Sequence, residues 1–361
     1  MKSECQSTRR SFLKTSLLGS AAALAAAKLP AAMAAQAATA PGVTAATSRV
    51  SLVAGKDRAK IAFDSLTPFK SEIAAAIGTK RVVLKPNNVM INRPLCASSA
   101  YNLEGILEFL HSIGKKNIVI AESPANGSAL DGFHNYGYDK LATKYNAKMV
   151  SLDAEAYDIM YVMDEHDLQP HAIRTATMLM DPKNNFVISA AKLKTHDMIG
   201  ITLSLKNIVV GSGIKDSGYG VSRSGPGRGR SDKPLIHGGG PHGINYNVFT
   251  LSAKLHPDLA VIDGYEGMQG DGPINGSPVS QKVCVASLDW LAADRVGAEL
   301  MGVDFTKIGY LSYCAKAGDR GQGDLSKIQV VGEKIQDHVK TYQLPPSWEH
   351  VTSWQKPMAT A

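Results

Sequence analysis

Four short apolar runs, each ending abruptly in a polar cluster, constrain this 361-residue chain more than any other feature. Val82-Val83-Leu84 stops at Lys85-Pro86-Asn87-Asn88, and Ile118-Val119-Ile120-Ala121 stops at Glu122-Ser123-Pro124. Phe186 to Ala191 leads into Lys192-Leu193-Lys194-Thr195-His196, and Leu259 to Ile262 reaches Asp263-Gly264-Tyr265-Glu266. Unbroken apolar runs this short read as strands buried on both faces, each passing into a loop.

Helical patterns lie between the runs. Leu103, Ile106, Leu107, Leu110 and Ile113 recur at helical spacing, with Asn102 placed to cap the start and Gly114 to stop the end. Further helices are expected over 138–145, 246–255, 290–301 and from Asp304 through Ala315, and another beginning near Met198. Further strands are expected over 148–152, 282–287 and 328–331. Residues 41–80 read as a leader strand and a short helix. Such alternation predicts an α/β fold, a mostly parallel sheet flanked by helices. Residues 211–243 break the rhythm with eleven glycines and five basic residues, and read as a long mobile Gly/Arg-rich loop insertion.

The N-terminus carries Arg9-Arg10-Ser11-Phe12-Leu13-Lys14, then an Ala- and Leu-rich run and several small-residue cleavage sites between 34 and 40. This predicts a twin-arginine signal peptide over 1–40, the export machinery as a partner and a periplasmic or otherwise exported product. The apolar run is shorter than the ~20 residues that span a bilayer, and no later run reaches that length, so no stable membrane insertion is expected. Five basic residues against one acidic in the leader bring the formal charge from +7 to +3 on cleavage, which gives no case for nucleic acid. Cys96, Cys284 and Cys314 are far apart and read as small buried hydrophobes; with no C-x-x-C, the chain holds no iron–sulfur cluster of its own.

In an open α/β sheet, ligands bind at the carboxyl ends of strands, where the polar clusters fall. Lys85, Lys192 and Lys194 are candidates to hold a small anionic ligand, with Asn87, Asn88, Glu122 and Asn207 lining its site. His196 is the candidate acid or base, beside a helix start where backbone donors favour an anion. Lys206-Asn207, expected at the end of that helix, either bonds its last carbonyls or faces the cleft. Asp263, Glu266 and Asp271 put three carboxylates into a glycine-rich loop, where they repel unless a cation joins them or one takes a proton. A divalent metal suits the first case and proton transfer the second; Lys194, His196 and Asp263 are the candidate catalytic set. His237 and His242 are a weaker metal pair. Nucleotide-binding, zinc-protease and serine-hydrolase motifs are absent.

Val83-Leu84-Lys85-Pro86-Asn87, Ala191 through His196 to Lys206-Asn207, Val261 through Asp263-Gly264 to Gly276-Ser277-Pro278, and Ser287-Leu288-Asp289-Trp290 onward to Met301-Gly302 together resemble the domain of unknown function 362 family over residues 48–332. Residues 333–361 read as a peripheral tail. Many members carry a ferredoxin-like segment, which this chain lacks; the resemblance therefore implies redox-related work only through a separate redox partner protein. Two functions follow: an enzyme acting on a small anionic substrate, with or without a divalent metal, and a non-catalytic protein that carries a metal or cofactor or escorts a periplasmic redox partner, with the Gly/Arg-rich loop as its docking surface.

Overall fold

The computed structural model describes residues 48–219 and 229–358; the expected leader and part of the insertion lie outside them. Among the described residues eleven strands form: β1 (Ser48–Ala54), β2 (Arg81–Lys85), β3 (Ile118–Glu122), β4 (Lys148–Ser151), β5 (Tyr157–Met163), β6 (Pro170–Ala176), β7 (Asn185–His196), β8 (Gly200–Thr202), β9 (Leu259–Gln269), β10 (Ser277–Ser287) and β11 (Ile328–Gly332). Nine build one sheet in the order β11-β1-β10-β9-β7-β2-β3-β4, with β8 hydrogen-bonded to β7. The run from β9 to β4 is parallel, whereas β10 is antiparallel to both β9 and β1.

Helices cover both faces. Ile61 and Leu66 of α1 (Arg58–Leu66), Ile73 and Ile77 of α2 (Lys70–Ile77), and one face of α3 (Ala100–Ser112) bury against Val82, Leu84 and Ile120, together with α4 (Ala129–Asn135) and α5 (Tyr138–Lys144). The other face carries α6 (Ser204–Gly211), α7 (Lys233–Ile236), α8 (Pro241–Leu251), α9 (Trp290–Leu300) and α10 (Gly309–Ala317) over Val83, Val187, Ala191 and Ile262. The residues of β7 alternate between these two cores, as the period of two requires. All twelve are buried, so its apolar run has no solvent side.

The chain lays β3 and β4 on one side of β2, then returns to lay β7 and β9 on the other. The sheet order therefore reverses between β2 and β7. A crevice opens beyond the carboxyl ends of two such strands, because their connections diverge to opposite faces.

Several expectations need correction. The chain after His196 turns into the hairpin strand β8, and the helix begins only at Ser204. A Cβ on Gly200 would run into Ile308 and Trp348, so this turn fits under the C-terminal segment only as glycine. The acidic loop is largely strand, since β9 runs to Gln269 and pairs with β10 from Ser277. Residues 229–243 of the insertion are packed: Asp232 and Ile236 are fully buried, and Arg174 and Arg230 both bind the Asp232 carboxylate. Over the C-terminal segment, expected to be peripheral, Tyr342 donates its hydroxyl to Gln281 and Val351 is buried. Cys96, Cys284 and Cys314 are buried and free, as expected.

Candidate functional site

A cavity of about 430 Å³ occupies the crevice at the reversal point. Lys85, Asn87, Asn88, Glu122, Lys194, His196 and Asn207 of the expected set line it. These residues lie up to 122 positions apart in sequence and meet because β2 and β3 end close together while β7 continues past the Lys85–Ser189 pair to carry Lys194 and His196 over their ends.

Asn207 is the hub. Sitting in the first turn of α6, it donates from Nδ2 to the Lys85 carbonyl (3.2 Å) and to Ser189 Oγ (3.0 Å). Its Oδ1 accepts from Lys85 Nζ and from Asn87 Nδ2, each at 3.1 Å. Asn87 Oδ1 in turn accepts from Lys194 Nζ (2.8 Å), which also donates to the Cys96 carbonyl (3.1 Å). Lys85 Nζ completes its three donations at Glu122 (2.8 Å) and the Pro86 carbonyl (3.1 Å). Glu122 further accepts the backbone N–H groups of Ser123 and Asn88. Lys85 and Glu122 are thus a satisfied buried ion pair, and with Asn207 they form the rigid floor of the cavity.

Lys206, Lys233 and His237 also line the cavity: for Lys206 the cleft is one of the two placements expected from sequence, His237 is expected only as a metal ligand, and Lys233, within the Gly-rich segment, carries no expected site role. The sequence signal was the i, i+4 spacing of Lys233 and His237 around the apolar pair Leu235-Ile236. Lys233 Nζ bonds the Gly213 carbonyl, which ties α7 to the end of α6. Lys206 donates no hydrogen bond among the described residues, and its ammonium is not sealed off from the cavity. Burial holds the amines of Lys194 and Lys233 down to about 7 and that of Lys206 to about 8. Four lysines face two carboxylates here, Glu122 and Asp197, and Glu122 is committed to Lys85. Val89, Met90, Val210 and Ile274 supply apolar wall.

Both imidazoles are kept neutral, first by burial and then by the Lys206 charge. His196 lies well below the usual histidine range and His237 falls to about 4. Their ring centroids are 6.1 Å apart.

The acidic set is not brought to this cavity. Asp263 lies within β9, almost wholly buried, and its carboxylate is gripped by Arg58 Nε at 2.9 Å and by Nη2. Lys192 is its partner across β7 and β9, buried on the same side and outside the cavity. Glu266 pairs in register with Ser280, and Asp271 is exposed in the turn, where Asn275 approaches it. Among the described residues no three His, Cys, Asp or Glu side chains are grouped to hold a metal ion, so the expected Asp263, Glu266 and Asp271 ligand set does not assemble. His242 bonds the Lys356 carbonyl instead of joining His237. A second cavity, of about 470 Å³, lies at the amino ends of β7 and β9. Of its acids, Asp258 is engaged with the Val187 N–H and Asp181 with Asn184.

Comparison with known proteins adds two findings. The family model described as "Domain of unknown function (DUF362)" matches residues 82–299, more than half of the chain and every residue lining the cavity. The thylakoid-associated protein sll1697 of Synechocystis sp. is 26% identical over 226 residues, covering 62% of this chain and 64% of that protein. No solved structure matches. No described helix is long and apolar enough to cross a membrane.

Proposed function

The chain belongs to the DUF362 family, whose description assigns no reaction, and from the cavity itself we propose that it binds and transforms a small organic anion at the carboxyl ends of β2, β3 and β7. One observation carries this reading: Lys206, itself buried, lines a largely apolar crevice with an ammonium that has no hydrogen-bond partner among the described residues. Its nearest opposing charge is the half-exposed Asp197 carboxylate, which makes no hydrogen bond to it; a buried ammonium without a hydrogen-bonded partner is costly, and a ligand anion supplies one. At an effective dielectric of ~20, an anion ~4 Å from one ammonium gains about 4 kcal/mol before its own desolvation.

Lys194 adds a second positive group, Asn87 and Asn88 line the cavity beside it, and the apolar wall receives the organic part of the ligand. The Lys85–Glu122 pair fixes the floor without contributing net charge. In this reading Asp263 holds Arg58 and the β9–α1 contact, and Lys192 stands beside it. The segment that the sequence offered as a docking loop forms a cavity wall over 233–237, which favours a ligand site over an accessory role.

A thermal-shift screen of mono- and dicarboxylates and phosphate tests the proposal. A ligand at ~100 times its dissociation constant adds about 2.7 kcal/mol of stability. Wild type should gain that with an organic anion and Lys206→Ala should not; equal responses would remove the cavity from consideration. Export by the twin-arginine route belongs to the same proposal, supported by Arg9-Arg10 and the small-residue run that follows. Replacing both arginines by lysine should leave the protein in the cytoplasm on fractionation.

A further inference from the structure

The two neutral imidazoles are locked in opposite tautomers. His196 Nδ1 accepts the backbone N–H of Met198 at 3.1 Å, so its ring hydrogen is on Nε2. Asp197 Oδ1 lies 3.0 Å from the same nitrogen without hydrogen-bond geometry. His237 Nδ1 lies 2.8 Å from the Lys233 carbonyl oxygen, which can only accept, so this ring carries its hydrogen on Nδ1 and a lone pair on Nε2. Neither Nε2 has a partner among the described residues, and neither is sealed from the cavity that both rings line. The crevice therefore offers one fixed donor and one fixed acceptor, beside the Lys206 ammonium.

Such a pair suits a particular chemistry. His196 cannot release its Nε2 hydrogen without becoming an imidazolate, so it serves a reaction as a hydrogen-bond donor to an oxygen that gains charge. His237 can take a proton. Resting on the anion-binding reading, we propose that the cavity catalyses proton transfer at the carbon next to the carbonyl of a small oxo acid, with His237 as base and His196 as donor to the carbonyl oxygen. The C–H bond breaks and its proton moves to His237 Nε2. The electron pair becomes the C=C bond of the enolate, and the carbonyl π pair moves onto oxygen, where His196 Nε2–H holds it. Lys206 pairs with the carboxylate, and that pairing relieves the larger of the two lysine charges that, after burial, depress the basicity of His237. Return of a proton from His237 to carbon closes the cycle with no oxidant or reductant.

The test is hydrogen–deuterium exchange of pyruvate and 2-oxobutyrate in D2O, followed by proton NMR on the mature protein, with calorimetric titration of the same compounds. Wild type should bind them and accelerate exchange by ~100-fold or more over buffer, the scale of a positioned general base. His237→Gln should lose at least nine-tenths of that acceleration while still binding, with its unfolding midpoint as the control for folding. Binding without exchange, or exchange that survives His237→Gln, overturns the proposal and leaves the anion site standing. No binding overturns both. Without any variant, ¹⁵N imidazole shifts should show a protonated Nε2 in His196 and an unprotonated one in His237, and the reverse assignment overturns the division of roles.

Discussion

Lys85 and Glu122, at the ends of adjacent parallel strands, meet 2.8 Å apart with at most 2% of either side chain exposed. Breaking such a pair strands one charge in the interior. Glu122→Ala should cost about 3–5 kcal/mol in denaturant unfolding, and Lys85→Met combined with Glu122→Leu should cost much less than the sum of the single changes.

Gly211 ends α6 directly above this pair, and a Cβ there would overlap Lys85 Cε and Nζ. A flexible lysine tip ordinarily moves aside at little cost, but this one is held by three hydrogen bonds. Gly211→Ala should therefore destabilise by about 1–3 kcal/mol and weaken anion binding together, measured by thermal unfolding and titration on one preparation.

Anion affinity should depend on pH with a defined sign. Burial lowers the amines of Lys194 and Lys206 to about 7 and 8, and only the protonated forms attract an anion. Affinity should be full below pH 7 and decline as pH rises through 8. In Lys206→Ala the upper part of that decline should disappear.

Stability carries the opposite dependence at His237. Its folded value, about 4, lies below the ordinary imidazole value of 6.5, so the unfolded chain binds the proton more readily. The contribution is fully present above 6.5 and is lost as pH falls toward 4. Buried Asp294, raised to about 7 chiefly by burial, opposes it, contributing most below 3.8 and losing its effect as pH rises through 7. The clean measurement is the difference between wild type and His237→Gln from pH 7 to 4, which should shift steadily in favour of the variant.

How much of this was legible in sequence follows from what each segment reports. The carboxyl ends of β2, β3 and β7 were readable because an apolar run that stops at a lysine or a glutamate marks where a buried strand leaves the sheet. Lys85, Asn87, Glu122, Lys194 and His196 were placed together on that ground, and they do converge. The hairpin of β5 and β6 was not readable, since it turns Tyr157, Ile159 and Tyr161 to solvent and blurs the alternation of a half-buried strand. Helix α6 was placed too early because Met198-Ile199-Gly200-Ile201 looks helical, while the sterics at Gly200, which sits at a φ of +86°, depend first on Ile308 and then on Trp348, both distant in sequence. That misplacement left Lys206 undecided between a helix end and the cleft. The three carboxylates of Asp263, Glu266 and Asp271 looked like a cation loop because sequence spacing does not reveal that Arg58 takes the first of them.

The most direct measurement of the central claim is calorimetric titration of a small oxo acid into wild type, Lys206→Ala and Asp263→Ala, each shown to be folded at the titration temperature. The cavity account predicts at least tenfold weaker binding for Lys206→Ala. It predicts near wild-type affinity for Asp263→Ala, whose loss falls instead on stability, by about 3–5 kcal/mol, because Arg58 is left unpaired. Binding lost in Asp263→Ala and kept in Lys206→Ala would contradict it and return the site to the acidic strand.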